Sequence, residues 1–228
     1  MNAPRTARER ARAELTAEIT DAARRQLADV GPTDLSLRAI ARDLGMASSA
    51  IYRYFASRDA LLTALIVDAY DSLGEAVEAA EALVDRGDHL GRWMTATRAA
   101  RTWALDHRHE YSLIYGSPVP GYAAPTDTID PAGRVGLVVA AILADAAEAG
   151  VLGMVAGPQP VDGLIEPGVV DQLGADPAHA AAGVQAWTWL FGAISFELFG
   201  HYNNVVVDPD EWFDDAMARL AHLAGLTA

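Results

Sequence analysis

The sequence of 228 residues predicts an all-α protein, and three observations predict it. Apolar residues recur at the three- and four-residue spacing of one helix face along most of the chain. No stretch shows sustained period-2 alternation between turn signals, the mark of a half-buried strand. The candidate helices are punctuated by Ser or Pro where they start and by Gly where they stop.

A first helix is expected from about Thr6 to Val30, with Leu15, Ile19, Ala22, Ala23, Gln26, Leu27 and Val30 tracing one stripe; Gly31-Pro32 stops it. Ser36 is placed to cap a short helix, Leu37 to Leu44, whose apolar positions Leu37, Ile40, Ala41 and Leu44 share a face. Gly45 ends it, and another short helix follows from about Ser48 to Phe55. Ser57 caps a long helix opening at Arg58, with Leu61, Leu62, Leu65, Ile66 and Ala69 inward. Further helices are expected at about Asp88–Asp106, His107–Tyr115, Pro131–Ala149, Pro177–Tyr202 and Pro209–Leu226. Two connections are unusual: Gly116–Pro131 carries four prolines, and Val151–Pro177 is a long stretch rich in Gly and Pro, of a length that suits a functional or mobile loop.

Composition bounds the function. At 51% hydrophobic and 21% charged residues the chain is of ordinary globular make-up, which excludes an intrinsically disordered protein. With no cysteine it has no disulfide scaffold, thiolate zinc site or cysteine nucleophile. No apolar run approaches the roughly 18 residues that span a bilayer, and Met1–Leu15 lacks a signal-peptide centre. A soluble, cytoplasmic protein without membrane association is expected.

The formal net charge of −14 argues at first against nucleic acid, because phosphate binding needs basic surface. Its distribution reverses that. Residues 1–65 hold ten arginines against eight acids and the remainder seven against 23, so a head of +2 precedes a body of −16. All the basic side chains are arginine. Such asymmetry suits two segments with different jobs, although arginine-rich usage and an acidic solvated surface would also produce part of it.

The run Leu35–Phe55 has the logic of two short helices crossing at a tight turn. Ala41 is small at the crossing, Gly45 takes the left-handed turn, and Ile40, Leu44, Met46, Ile51 and Phe55 are expected between the helices. Ser48, Ser49, Tyr52, Arg53 and Tyr54 are then left facing outward. Hydroxyls, phenols and a guanidinium on an exposed short helix suit a DNA major groove, some reaching base edges and others phosphates. Helix pairs of this kind also occur in purely structural bundles, but an exposed Tyr-Arg-Tyr row has no role in a core.

The segments Ala39-Ile-Ala-x-x-Leu-Gly-Met46 and Ile51-Tyr-Arg-Tyr-Phe-Ala-Ser-Arg-Asp-x-Leu-Leu62 closely resemble the DNA-binding domain of the TetR family of transcriptional repressors, densely over residues 16–66. The resemblance implies a three-helix helix-turn-helix domain over residues 1–57. In it Ser36, Arg38, Ser48, Ser49, Tyr52, Arg53, Tyr54 and Arg58 contact DNA, with Tyr52 and Arg58 beside phosphates. Ala50, Tyr54 and Arg58 stand where the family commonly has Thr, His and Lys. Arg58 would preserve the phosphate contact, and Ala50 removes a hydroxyl. Arg5, Arg8, Arg10 and Arg12 either reach phosphates or the minor groove or form a solvated terminus.

In the acidic remainder, residues 58–228, the segment Ala186–His201 is apolar nearly all round and must be covered on two sides. The chain's own core supplies one cover and a second copy the other. With the last helix this gives a four-helix homodimer interface, assigned to Trp189, Gly192, Phe196, Phe199, Phe213, Met217 and Leu220. Trp187-x-x-x-Phe191-Gly192 and Trp103–Tyr122 resemble the TetR C-terminal subtype named for a Trp…His-Gly motif, with Phe191 in place of the His. The resemblance implies a pocket for a small, mostly apolar effector, and Trp93, Trp103, Tyr111, Tyr115, Tyr122 and Trp187 are its candidate lining. Each of them also suits plain core packing. Tyr122, bracketed by prolines, is the candidate lid.

No catalytic or metal-binding run stands out: His107 and His109 diverge on a helix, and no phosphate-cradling or nucleophile-elbow glycine motif occurs. No cofactor is expected. The expectation is a bacterial, ligand-responsive repressor binding a pseudo-palindromic double-stranded DNA operator as a homodimer. The alternatives are a DNA-binding regulator without a ligand, and a helical enzyme or carrier reusing the fold.

Overall fold

A computed structural model of the chain describes residues 6–155, 163–166, 168, 170 and 177–226. Among them it is helical throughout, without a strand: α1 (Ala7–Val30), α2 (Leu37–Asp43), α3 (Ser48–Ile51), α4 (Arg58–Glu81), α5 (His89–Asp106), α6 (Arg108–Tyr115), α7 (Ile129–Glu148), α8 (Pro177–Leu198) and α9 (Pro209–Leu223), with a 3₁₀ turn at Thr126–Thr128. Arg5 and much of the 151–177 connection lie outside the described residues.

The helices start where their caps say they should. Thr6 accepts from the Glu9 amide at 3.2 Å while the Glu9 carboxylate accepts from the Thr6 amide at 2.8 Å, a reciprocal capping box that fixes the first turn of α1. Ser36 caps α2, and Asp88 and Asp208 cap α5 and α9. α3 is shorter than its expected Ser48–Phe55. After Ile51 the amides of Arg53 and Tyr54 bond three residues back, to Ala50 and Ile51, and the chain tightens into turns that bring Phe55 inward. α8 likewise ends at Leu198 rather than Tyr202, because Gly200 at φ 78° breaks the helix and the His201 amide returns to the Phe196 carbonyl.

Packing divides the chain into two compact units, Met1–Ala69 with His109–Ile129, and Tyr70–Arg108 with Asp130–Ala228. The first, the head, encloses Ile19, Ala23, Leu27, Ile40, Ala41, Ile51, Leu61, Leu62 and Leu65, all nearly or wholly buried. Within it the Arg24 guanidinium bridges Asp21 at 2.7 Å and Asp68 at 2.9 Å, tying α1 to α4. Burial of this apolar set is what sustains so short a helix as α3, which propensity alone would not.

The second unit, the body, is built on α5, α7, α8 and α9 with the latter part of α4. Its core includes Trp93, Ala100, Trp103, Val139, Ile142, Leu190, Ile194, Phe213 and Met217. Ionic ties cross it. Arg92, wholly buried on α5, is held between the Glu81 and Asp145 carboxylates. Arg134 on α7 grips Glu78 at 2.7 Å and Asp71 at 2.8 Å on α4, and its hydrogen bonds hold the Glu78 carboxyl below the usual carboxylate range. Arg98 forms a two-pronged pair with Asp214, which depresses that carboxyl in the same way.

Candidate nucleic-acid interface

Local geometry in the head follows from a few residues. Gly45 adopts φ 65°, reversing the chain between α2 and α3, and the Met46 amide closes the turn on the Ala41 carbonyl at 2.8 Å. Ile51 and Phe55 bury against Ile40 and Ala41, while Leu44 and Met46, also expected inside, are only half-buried at the turn. With Ile51 and Phe55 fixed inward, the helical period turns Ser48, Ser49, Tyr52 and Arg53 to solvent, and Tyr52 is 45% exposed. Arg38 on α2 is exposed as well.

Ser36 is half-buried and works locally. Its hydroxyl accepts from the Ala39 amide, and its own amide donates to the Gln26 side-chain oxygen at 2.7 Å. The polar residue in the stripe of α1 is thereby explained: Gln26 bonds the start of α2 instead of packing as an apolar side chain would.

Arg58, expected beside a phosphate, and Arg12, left open between a phosphate contact and a solvated terminus, both spend a guanidinium nitrogen on backbone carbonyls, Arg58 half-buried and Arg12 exposed. Arg58 Nη2 donates to the Pro32 carbonyl at 2.7 Å and the Thr33 carbonyl at 3.0 Å, and Nη1 lies 3.6 Å from Asp59. The guanidinium fastens the α1–α2 turn. Arg12 Nη2 donates to the Arg53 carbonyl at 2.9 Å, and its guanidinium lies 5.2 Å above the Tyr54 ring. Tyr54 is accordingly half-buried, unlike its neighbours Tyr52 and Arg53. Arg8 and Arg10 remain exposed.

The aromatic residues expected around an effector occupy different situations. Trp93 is 1% exposed and its indole N–H donates to the Met217 carbonyl at 3.0 Å; Trp103 donates to the Ser72 hydroxyl at 2.9 Å and stacks on His107. Tyr111 is wholly buried beside the Tyr115 ring. Satisfied indoles and a buried phenol are what a core requires. Tyr122, expected as a lid, is tied within the head: its hydroxyl lies 2.9 Å from Thr63 Oγ1. Since Thr63 already donates to the Asp59 carbonyl, Tyr122 is the donor. Trp187 alone of the six is 38% exposed.

The residues expected at a dimer interface separate by helix. Along α8 and the residue just past its end, Trp189, Gly192, Phe196 and Phe199 follow one stripe; the three aromatics are 64%, 53% and 45% exposed, away from the buried Ala186, Leu190 and Ile194, and Phe196 packs on the His201 and Tyr202 rings. On α9 the expectation is corrected: Phe213, Met217 and Leu220 face the chain's own core, and the outward stripe carries Trp212 and Leu223 instead. Phe213 lies under the Arg101 guanidinium, which also pairs with Glu197 and Asp210 and so fastens α8 and α9 to α5.

Among the described residues no cluster of His, Asp or Glu is arranged to share a metal ion, and no helix is long and apolar enough to cross a membrane.

Comparison with known proteins accords with this geometry. Residues 19–65 match the family described as bacterial regulatory proteins, tetR family, and residues 93–220 match the tetracyclin repressor-like C-terminal domain. The HTH-type transcriptional regulator Rv1816 of Mycobacterium tuberculosis is 41% identical over 219 residues, covering 92% of each chain. Among solved structures, a candidate regulatory protein, SCO4313, superposes with a TM-score of 0.72 at 34% identity over 96% of this chain and 100% of its own. RolR in complex with the ligand resorcinol shares the fold at a TM-score of 0.54 and 21% identity, over 95% of this chain and 94% of its own. The matched families and Rv1816 are described as regulators, which sets aside the enzyme alternative. A helix-turn-helix head and a helical body, matched along both halves of the chain, make this protein a member of the TetR family of DNA-binding transcriptional regulators.

Proposed function

We propose that the chain is a homodimeric repressor whose two copies of α3 engage a pseudo-palindromic operator about one DNA turn apart, roughly 34–36 Å. One observation carries this reading: Ser48, Ser49, Tyr52 and Arg53 form a solvent-facing row on a helix whose other face is locked by Ile51 and Phe55. Arg38, exposed on α2, adds a cation to that of Arg53, and Tyr52 is the phosphate-contacting aromatic by family likeness. The dimer is supported by the exposed aromatic surface of Trp189, Phe196 and Phe199 beside Gly192, where a Cβ would meet nothing within 4 Å in its own chain.

A small, mostly apolar effector bound in the body would favour a dimer with mis-spaced recognition helices and so release the operator. Only differential affinity for the two conformations is required. α4, continuous from Arg58 to Glu81, is the element to carry the shift. RolR, of the same fold, is known with a small aromatic ligand, and Trp187 is the candidate lining residue with surface to offer. The satisfied indoles of Trp93 and Trp103 favour the second reading, a regulator that needs no ligand, at least for their part of the core.

The test is fluorescence anisotropy on operator fragments recovered by genomic binding-site selection with the purified protein. The Tyr52→Ala variant is expected to lose operator binding while remaining dimeric, and a small aromatic panel should lower wild-type affinity. Retained binding by Tyr52→Ala would mean that α3 does not face DNA; indifference to every compound would favour the ligand-free regulator.

A further inference from the structure

We propose that Arg12 is a positioning residue for the recognition helix: it sets the orientation of α3 through the Arg53 carbonyl and the Tyr54 ring, and does not anchor a phosphate. The inference rests on the reading that α3 faces DNA.

The need for such a tie follows from the size of α3. Four residues make a single turn, with no side chain capping its first amides. Ile51 and Phe55 set how deeply the turn sits, but two apolar anchors on one face leave it free to tilt and roll about their contact. A directional bond at the far end removes that freedom. Arg12 supplies it from 41 residues away, donating at 2.9 Å to a carbonyl just beyond the helix end. The charge has the favourable sign, since the carboxyl end of a helix presents unpaired carbonyls.

The strut itself is rigid. α1 is fixed at its first turn by the Thr6–Glu9 capping box, along its length by the burial of Ile19, Ala23 and Leu27, and laterally by the Arg24–Asp68 pair. Arg12 also covers one face of the Tyr54 ring at 5.2 Å, which holds the residue following Arg53 and leaves the Arg53 side chain exposed. Positioned in this way, Arg53 meets DNA from a fixed backbone, and α1 becomes a determinant of sequence discrimination without touching a base.

A phosphate anchor and a positioning residue differ in their salt dependence. Removing one phosphate contact from each half-site flattens the dependence of log affinity on log salt by about 2 for the dimer, and weakens operator and unrelated DNA together. The experiment titrates Arg12→Met and Arg12→Gln against operator and unrelated duplex at several salt concentrations, with Tyr52→Ala alongside. Arg12→Met is expected to lose about tenfold in operator affinity over two half-sites, the order expected for one hydrogen bond in each. Its salt slope and its affinity for unrelated DNA are expected to stay unchanged. Arg12→Gln, which keeps a donor but drops the charge, is expected to recover part of the loss. Hydrogen exchange of the free protein should quicken at residues 52–55 in Arg12→Met and not in α2.

A flattened slope in both variants overturns the proposal and makes Arg12 a phosphate anchor. Unchanged operator affinity and unchanged exchange overturn it as well. If Tyr52→Ala also leaves operator binding intact, the interface reading falls with it; if Tyr52→Ala abolishes binding, that reading stands alone. Should Arg12→Met fail to fold, the Arg12→Gln slope decides by itself: unchanged upholds the proposal, flattened rejects it.

Discussion

A guanidinium aimed at a backbone carbonyl does different work from one aimed at solvent. Arg58 spends its Nη2 on the Pro32 and Thr33 carbonyls, joining the start of α4 to a turn 25 residues earlier. Its Nε is buried without a partner, so the side chain is held by its tip. Arg58→Met is expected to lower unfolding stability by about 1–2 kcal/mol, the scale of a hydrogen bond to a charged group, measured by chemical denaturation. Because its charge already faces carbonyls, the salt slope of DNA binding is expected to stay as in the wild type. A flattened slope with unchanged stability would restore the phosphate role that the family likeness implies. At this scale the sequence discloses side chains whose partners are near in the chain: Ser36 caps within three residues, and its pattern is legible. It does not disclose which arginines bond to backbone, because the carbonyls that claim Arg12 and Arg58 are brought to them only by the fold.

For whole helices the hydrophobic period is the legible quantity, and its ambiguity is also visible. On α8 the buried stripe is mostly small or aliphatic, with Phe191 its one large ring, while the exposed stripe carries Trp189 and Phe196. On α9, Phe213, Met217 and Leu220 form one stripe and Trp212, Ala216 and Leu223 another, about 100° away. Both are apolar, and period alone does not say which faces the core; the Trp93 hydrogen bond to the Met217 carbonyl and Arg101 over Phe213 decide it. On α4, Gly74 has a role the period does not reveal. A Cβ there would stand 2.6–2.9 Å from Nε, Cδ and Cβ of Arg134, so the missing side chain is what lets Arg134 lie across the helix to reach Asp71 and Glu78. Gly74→Ala is expected to destabilise the protein by about 1–2 kcal/mol despite its better helix propensity. In the Arg134→Gly background, which removes the Arg134 Cβ as well as the longer atoms, the Gly74→Ala penalty is expected to vanish, leaving the propensity gain. Additive losses in denaturant titrations would show that Arg134 is not what the new methyl group meets.

At the scale of the whole molecule, charge and symmetry act together. Residues 1–65 at +2, followed by a remainder at −16, offer little net attraction for DNA at large, so affinity for an operator has to come from a few placed side chains. The helical class is legible from helix punctuation alone, whereas the return of residues 109–129 to the first packing unit is not, because no local signal in the sequence marks it. A second copy is not named by a single chain's sequence, and the proposed dimer has only the exposed aromatic surface of Trp189, Phe196 and Phe199 to point to it.

Gly192 makes that stripe measurable. A Cβ built on it meets nothing within 4 Å in its own chain. A methyl group added there meets no side chain of its own subunit, so beyond its effect on helix propensity it reads the distance to a neighbour. Gly192→Ala is expected to strengthen the isolated subunit by roughly 1 kcal/mol through helix propensity, while weakening self-association in sedimentation equilibrium. Opposite signs from one carbon atom would register a second helix pressed against α8; equal signs would register open water.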